Sequence, residues 1–195
     1  ILPCTPVRKG LIHHVRKFCI KKANRLFTSG TSGSLFLEKF VSSSRISIIN
    51  DAVENEYYLE KSKTLNRNHI RNEQNYNTND FVFLYIGQFL ERKNILNIIN
   101  AFQIIQSNYS NIKLRIVGNG PLLKIIRRRS SNNSIIINEF MQRDELVKVY
   151  KSSDCLILIS HNEPWGMVVN EAMCFGLPVI VSNKVGSYMD LVDSN

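Results

Sequence analysis

The sequence has no apolar run approaching the roughly 18 residues that a membrane-spanning helix needs. It has four cysteines, Cys4, Cys19, Cys155 and Cys174, with no CxxC pair and no spacing that would gather metal ligands. Scattered thiols of this kind suit a reducing, cytoplasmic setting and packing roles. The start also lacks the apolar core of a signal peptide, since Cys4 to Gly10 contains Pro6 and the cations Arg8 and Lys9. Negative charge is scarcest in residues 1–50, which hold nine Lys and Arg against Glu38 alone. The rest of the chain is nearly balanced, 16 cations against 15 anions, so the net charge of +9 belongs to one segment. Such asymmetry points that segment toward an anionic partner, a membrane surface or a nucleic acid. With 44% hydrophobic and 21% charged residues among 195, the composition is that of a folded globular chain.

Residues 11–24 read as an amphipathic helix, with Leu11, Ile12, Val15, Phe18 and Cys19 on one stripe and Arg16, Lys17 and Lys21 off it. A strand over 25–28, a helix over 33–41 and a strand over 45–49 follow, the unit that builds a parallel sheet. Residues 54–79 are polar and rich in Asn, and read as a linker or surface excursion. The stretch Phe81 to Ile86 is almost wholly apolar, as in a strand covered on both faces. Helices are expected over 95–105, 121–129, 144–150, with Asp144 as cap, 168–175 and 186–192. They alternate with strands over 113–117, 134–137, 155–159 and 178–181. This alternation argues a doubly wound α/β domain with a parallel sheet, in which ligands bind beyond the carboxyl ends of the strands.

Three turns at such ends carry polar chemistry. The first runs from Gly87 and Gln88 to Arg92 and Lys93 and sets two cations at a helix start, where the helix dipole also favours an anion. The second is Gly118-Asn119-Gly120-Pro121, whose glycines let the backbone approach a ligand closely. It lacks the third glycine and the acidic residue of a dinucleotide fingerprint. The third holds Glu163, Pro164, Trp165 and Gly166, then Glu171 on the helix that follows. The first amides of that helix suit an anion, and a carboxylate accepts hydrogen bonds from adjacent sugar hydroxyls. Taken singly, each is also an ordinary strand-to-helix turn.

Taken together, they resemble a known family. From Phe81 to Val192 the chain is similar to the carboxyl-terminal, donor-binding domain of GT-B fold, retaining glycosyltransferases of the "glycosyl transferases group 1" family. The resemblance rests on Gly87 with Lys93, Gly118-Asn119-Gly120-Pro121, the spacing from Glu163 to Glu171, and Phe175-Gly176-Leu177-Pro178-Val179-Ile180. It implies transfer of a sugar from a nucleotide diphosphate sugar to a saccharide or lipid-linked acceptor, with retained configuration and no metal or other cofactor. Lys93 would bind the diphosphate and Glu163 would face the donor sugar, the two catalytic residues. Gly166, Met167 and Val168 would offer amides, Glu171 would grip the ribose, and the backbone near Glu139, Phe140 and Met141 would border the base. Gly87, Arg92 and Gly118 would complete the donor site. Gln88 stands where the family usually has Arg, which shifts leaving-group stabilisation onto Lys93 or Arg92.

Residues 1–53 resemble, less specifically, the end of the family's amino-terminal, acceptor-side domain, with 54–79 as hinge and 80–195 as donor domain. Most of the amino-terminal domain and the closing helices after Val192 are expected to lie outside this chain. The basic segment 8–25 is then expected to face an anionic membrane, at the inner surface, rather than nucleic acid, for which Phe18 is the only aromatic among the cations. An inactive nucleotide-sugar-binding fragment is the alternative reading.

Overall fold

The computed structural model describes residues 10–130 and 132–192. Its elements alternate as the periodicity suggests. They begin with α1 (Leu11–Lys22), β1 (Leu26–Thr28), α2 (Gly30–Leu37) and β2 (Ile46–Ile48), continue through α3 (Asn55–Thr64) and α4 (Arg67–Glu73), and then enter the main domain. There β3 (Phe81–Ile86), α5 (Ile95–Gln106), β4 (Ile112–Val117), α6 (Leu123–Arg129) and β5 (Ile135–Asn138) form one half. The other half is α7 (Arg143–Ser152), β6 (Cys155–Leu158), α8 (Met167–Cys174), β7 (Val179–Val181) and α9 (Tyr188–Leu191).

All five strands of the main sheet run parallel in the order β5-β4-β3-β6-β7. The chain enters at β3, winds outward to β5, then returns to β6 on the other side of β3. The order therefore reverses between β3 and β6, and a crevice opens beyond the strand ends there. The apolar run of β3 is explained by burial on both faces. Tyr85 joins Phe89, Ile99, Phe102 and Ile116 on the α5–α6 side. Leu84 and Ile86 join Val149, Tyr150, Leu158 and Val169 on the α7–α8 side. The fold is thus the doubly wound α/β sheet that the sequence implies, with β1 and β2 pairing in parallel as a separate small sheet.

Several local readings change. The segment 54–79 is not an unstructured linker but holds α3 and α4, which pack against α7 and α8. Its polar composition hides four buried side chains, Tyr58, Ile70, Arg71 and Tyr76. The helix expected over 33–41 begins at Gly30, and that over 144–150 begins at Arg143, where the Gln142 amide donates to Glu145 Oε2 at 2.8 Å in place of a cap by Asp144. Among the described residues nothing covers the apolar stripe of α1: Leu11 and Ile12 are 81% and 84% exposed, and no residue of the helix is buried. Arg8 and Lys9 of the basic segment lie outside the described residues. Among the described residues no helix is long and apolar enough to cross a membrane.

Candidate donor-binding site

The turns after β3 and β6 face each other across the crevice and are bonded together. His161 donates its amide to the Arg92 carbonyl at 2.8 Å, and Asn94 Nδ2 donates to the Ile159 carbonyl at 3.2 Å. Asn94 can serve this way because it adopts a left-handed conformation, φ 61°, which Asn tolerates better than most residues. Arg92 Nη1 donates to the Asn162 carbonyl at 3.1 Å and lies 4.0 Å from Glu163 Oε2. At the centre the Lys93 ammonium forms an ion pair with that same carboxylate oxygen. Both side chains are mostly enclosed, 12% and 11% exposed, so the pair is screened far less than a surface salt bridge. The Glu163 backbone is fixed as well, its amide on the Lys184 carbonyl and its carbonyl on the Gly186 amide.

Helix α8 starts immediately after. Gly166 is its cap at φ 94°, and a Cβ there would come within 2.9 Å of Leu158 and 3.0 Å of Val185, so only glycine lets the helix begin this close to β6. The amides of Met167 and Val168 occupy first-turn positions that have no intrahelical carbonyl to bond.

Beside this cluster lies a largely apolar cleft of about 330 Å³, between the turns after β3 and β4 and the segment after β5. Gly87, Gln88, Gly118, Phe140 and Met141 line it. Gly118 is tightly constrained: a Cβ would fall 1.9 Å from the Gly87 carbonyl oxygen. The Tyr85 hydroxyl donates to the Gln88 carbonyl at 3.0 Å and braces the turn from beneath. Burial, and then the nearby Glu163 charge, push the Tyr85 phenol upward, so it stays protonated and remains a donor.

The residues singled out in the sequence therefore fall into four places. Lys93, Arg92 and Glu163 converge at the crevice, with Gly166, Met167 and Val168 at the adjoining helix start. Gly87, Gln88, Gly118, Phe140 and Met141 share the cleft. Glu139 turns away, its carboxylate paired at the surface with Arg127 at 2.6 Å. Glu171, half-buried on α8, accepts from the Tyr58 hydroxyl at 3.2 Å and from the Tyr150 hydroxyl. Sequence reasoning did not single out Tyr58, Tyr85, Asn94 or Tyr150. Tyr150 stands on the apolar face of α7, a position that signals core; nothing in the linear pattern marks Tyr58.

Comparison with known proteins bears on the family and the fold. The family model described as glycosyl transferases group 1 matches residues 66–195. An uncharacterised glycosyltransferase of Methanocaldococcus jannaschii is 32% identical over 115 residues, 57% of this chain and 29% of its own length. The capsular polysaccharide biosynthesis glycosyltransferase CapM of Staphylococcus aureus is 24% identical over 194 residues, 96% of this chain and 45% of its own. Among solved structures, Anabaena HepE in complex with UDP superposes with a TM-score of 0.79 at 16% identity, covering 98% of this chain and 54% of that one. The chain thus spans about half the length, or less, of these three proteins. The fold likeness, the GT-B kind of doubly wound sheet and the match across residues 66–195 lead to one assignment: the chain belongs to the glycosyl transferases group 1 family.

Proposed function

We propose that the chain carries the donor half of an enzyme that moves a sugar from a nucleotide diphosphate sugar to a saccharide or lipid-linked acceptor, with retention of configuration. The observation that carries this reading is the enclosed Lys93–Glu163 pair at the crevice where the strand order reverses. An ammonium and a carboxylate held there match a diphosphate and a sugar hydroxyl.

In this reading the base enters the cleft beside Phe140 and Met141, next to the backbone of 139–141. The diphosphate passes Gly87 and Gly118, whose lack of side chains leaves it room. Lys93 and the first amides of α8 meet its charge, and Glu163 accepts from the donor sugar. When the glycosidic bond breaks through an oxocarbenium-like state, negative charge grows on the departing phosphate. Lys93 is already aimed at it, since Glu163 holds the ammonium before the donor arrives. A preorganised donor aimed at developing charge is commonly worth about 3–4 kcal/mol. Gln88 adds hydrogen bonds but no charge, and Arg92, already 4.0 Å from Glu163, supplies the second cation. Cation and helix dipole together do this work without a metal ion. Glu171 takes the ribose hydroxyls.

Residues 1–53 then belong to the acceptor-side lobe, 54–79 to the hinge, and 80–195 to the donor domain. The uncovered apolar stripe of α1, flanked by Arg16, Lys17, Lys21 and Lys22, supports a contact with an anionic membrane at the inner, cytoplasmic face. Each near-surface cation contributes about 1 kcal/mol there. The role of CapM in capsular polysaccharide biosynthesis favours a cell-surface polysaccharide or glycolipid as product.

The test is release and transfer of a radiolabelled sugar from a panel of nucleotide sugars, with wild type and Lys93→Ala compared. Turnover should fall by about 10²–10³. Turnover within a few-fold of wild type removes Lys93 from the phosphate site. Tight nucleotide-sugar binding without release in the wild type marks the chain as a binding module.

A further inference from the structure

The Glu171 carboxylate is held from two sides. Its Oε1 accepts from the Tyr58 hydroxyl at 3.2 Å and its Oε2 accepts from the Tyr150 hydroxyl. The two rings come from distant parts of the chain, Tyr58 from α3 and Tyr150 from α7. Phe175, just past the end of α8, joins them. Its ring stacks on Tyr150 at 5.4 Å and 18°, and meets Tyr58 edge-on at 6.3 Å. Both tyrosine rings are buried, at 4% and 0% exposure, so neither hydroxyl can swing to another partner without opening the core. Burial first, and the carboxylate second, push both phenols well above their usual range, which keeps them protonated and donating.

The stoichiometry leaves room for a ligand. A carboxylate has about four lone-pair sites. One per oxygen is taken by a tyrosine, and among the described residues no other hydrogen bond to either oxygen is found, which leaves one site on each. Two open acceptor sites on one rigid plane match two adjacent hydroxyls, such as the 2′ and 3′ hydroxyls of a ribose. A glutamate on a helix otherwise has several rotamers and would give up that freedom on binding.

We propose that Tyr58 and Tyr150 are positioning residues for nucleotide recognition: together they fix the Glu171 carboxylate in the orientation that receives the ribose diol. The proposal rests on the reading of Glu171 as the ribose acceptor. It also gives α3 a role, because one of the two donors stands on the segment joining the small sheet to the large one. Ribose recognition is then coupled to the seating of that segment on α8.

Calorimetric titration with UDP, ADP, GDP and CDP selects the tightest binder, and its 2′,3′-dideoxy counterpart is titrated beside it. Wild type should prefer the ribonucleotide. Tyr58→Phe and Tyr150→Phe keep the rings and remove only the hydroxyls. Each should weaken ribonucleotide binding about three- to tenfold and leave dideoxynucleotide affinity unchanged. The double variant should approach Glu171→Gln, which abolishes the preference. Affinity for the dideoxy form reports directly that the site is intact. Equal losses on both nucleotides, or no loss on either, while Glu171→Gln still abolishes the preference, overturn the proposal. A wild type that binds none of the four nucleotides, or binds ribo and dideoxy forms alike, or a Glu171→Gln that keeps the preference, removes the ribose reading itself and the brace with it.

Discussion

Removing the guanidinium of Arg71 tests how firmly the segment before β3 is seated. Arg71 is 6% exposed, at the end of the sheet opposite the candidate site. Its Nη1 donates to the Ser152 carbonyl at 2.8 Å and to Asp154 Oδ2 at 3.1 Å. Its Nη2 donates to the Asn77 carbonyl at 3.2 Å and to the Asp80 carbonyl. In Arg71→Met the methionine replaces much of the stem, so the loss is mainly polar. Ser152 and Asp80 are 0% and 7% exposed, and each carbonyl loses a buried donor, at about 1–2 kcal/mol apiece. Asp154 keeps Arg67 on its Oδ1 at 2.5 Å and the Val82 amide on its Oδ2 at 2.8 Å, so its charge is not abandoned. That places the cost below the 3–5 kcal/mol typical of a broken buried pair. A polar cavity of about 480 Å³ beside Arg71 admits water and lowers it further. The expected loss is about 2 kcal/mol. Urea unfolding followed by circular dichroism should show a midpoint lower by about 1 M, taking a slope near 2 kcal/mol per M. Arg67→Met, whose side chain is 35% exposed, should cost about 1–2 kcal/mol, and the double variant should depart from additivity because both cations share Asp154. A loss under about 1 kcal/mol for Arg71→Met would refute the claim that this network pins α4 to the sheet.

Three further outcomes are expected. Asp190 accepts from the Thr31 amide at 3.0 and 3.1 Å and from its hydroxyl at 2.6 Å, capping α2 from α9; Asp190→Asn should cost about 1–2 kcal/mol and speed hydrogen exchange over 30–37 without touching β3. Unchanged exchange there would show that the cap is idle. Gly118→Ala forces a methyl onto the Gly87 carbonyl, so nucleotide affinity should fall at least about tenfold; full affinity by calorimetry would show that the two turns can separate at no cost. Tyr58, Tyr76, Tyr85 and Tyr150 have phenol pKa values raised in the fold, chiefly by burial. A raised phenol binds its proton more tightly folded than unfolded, so its stability contribution is intact below about pH 10 and is lost as pH rises beyond it. Urea midpoints should hold up to about pH 10 and then drop, and Tyr85→Phe should flatten that drop by about 1.4 kcal/mol per pH unit; a profile level through pH 11 would contradict this.

The strands and the three chemical turns were legible because their signals are local. A strand covered on both faces must be apolar at every position, as Phe81 to Ile86 is, and a tight strand-to-helix turn must have glycine where backbone meets backbone, as Gly118 does against Gly87. Segment 54–79 was not legible, because it is held by interactions that composition does not record. Arg67 and Arg71 look like solvated charges in an Asn-rich stretch. Their partners are carbonyls of Lys151, Ser152 and Ser153, more than eighty residues away. The helix α1 was legible from its spacing, which announces a helix with an apolar side, but periodicity says nothing of what covers that side.

The sequence by itself determined the order of elements outside segment 54–79, the parallel sheet and the spacing from Glu163 to Glu171, since hydrophobic period and turn chemistry act over a few residues. Only the tertiary structure decided which groups meet. The β3 and β6 turns lie some seventy residues apart in the chain, yet the sheet sets those two strands side by side and so brings Lys93 onto Glu163. Likewise Tyr58 reaches Glu171, 113 positions away, because α3 packs on α8. Contacts of that range are selected by the joint packing of several elements, and no local pattern encodes them.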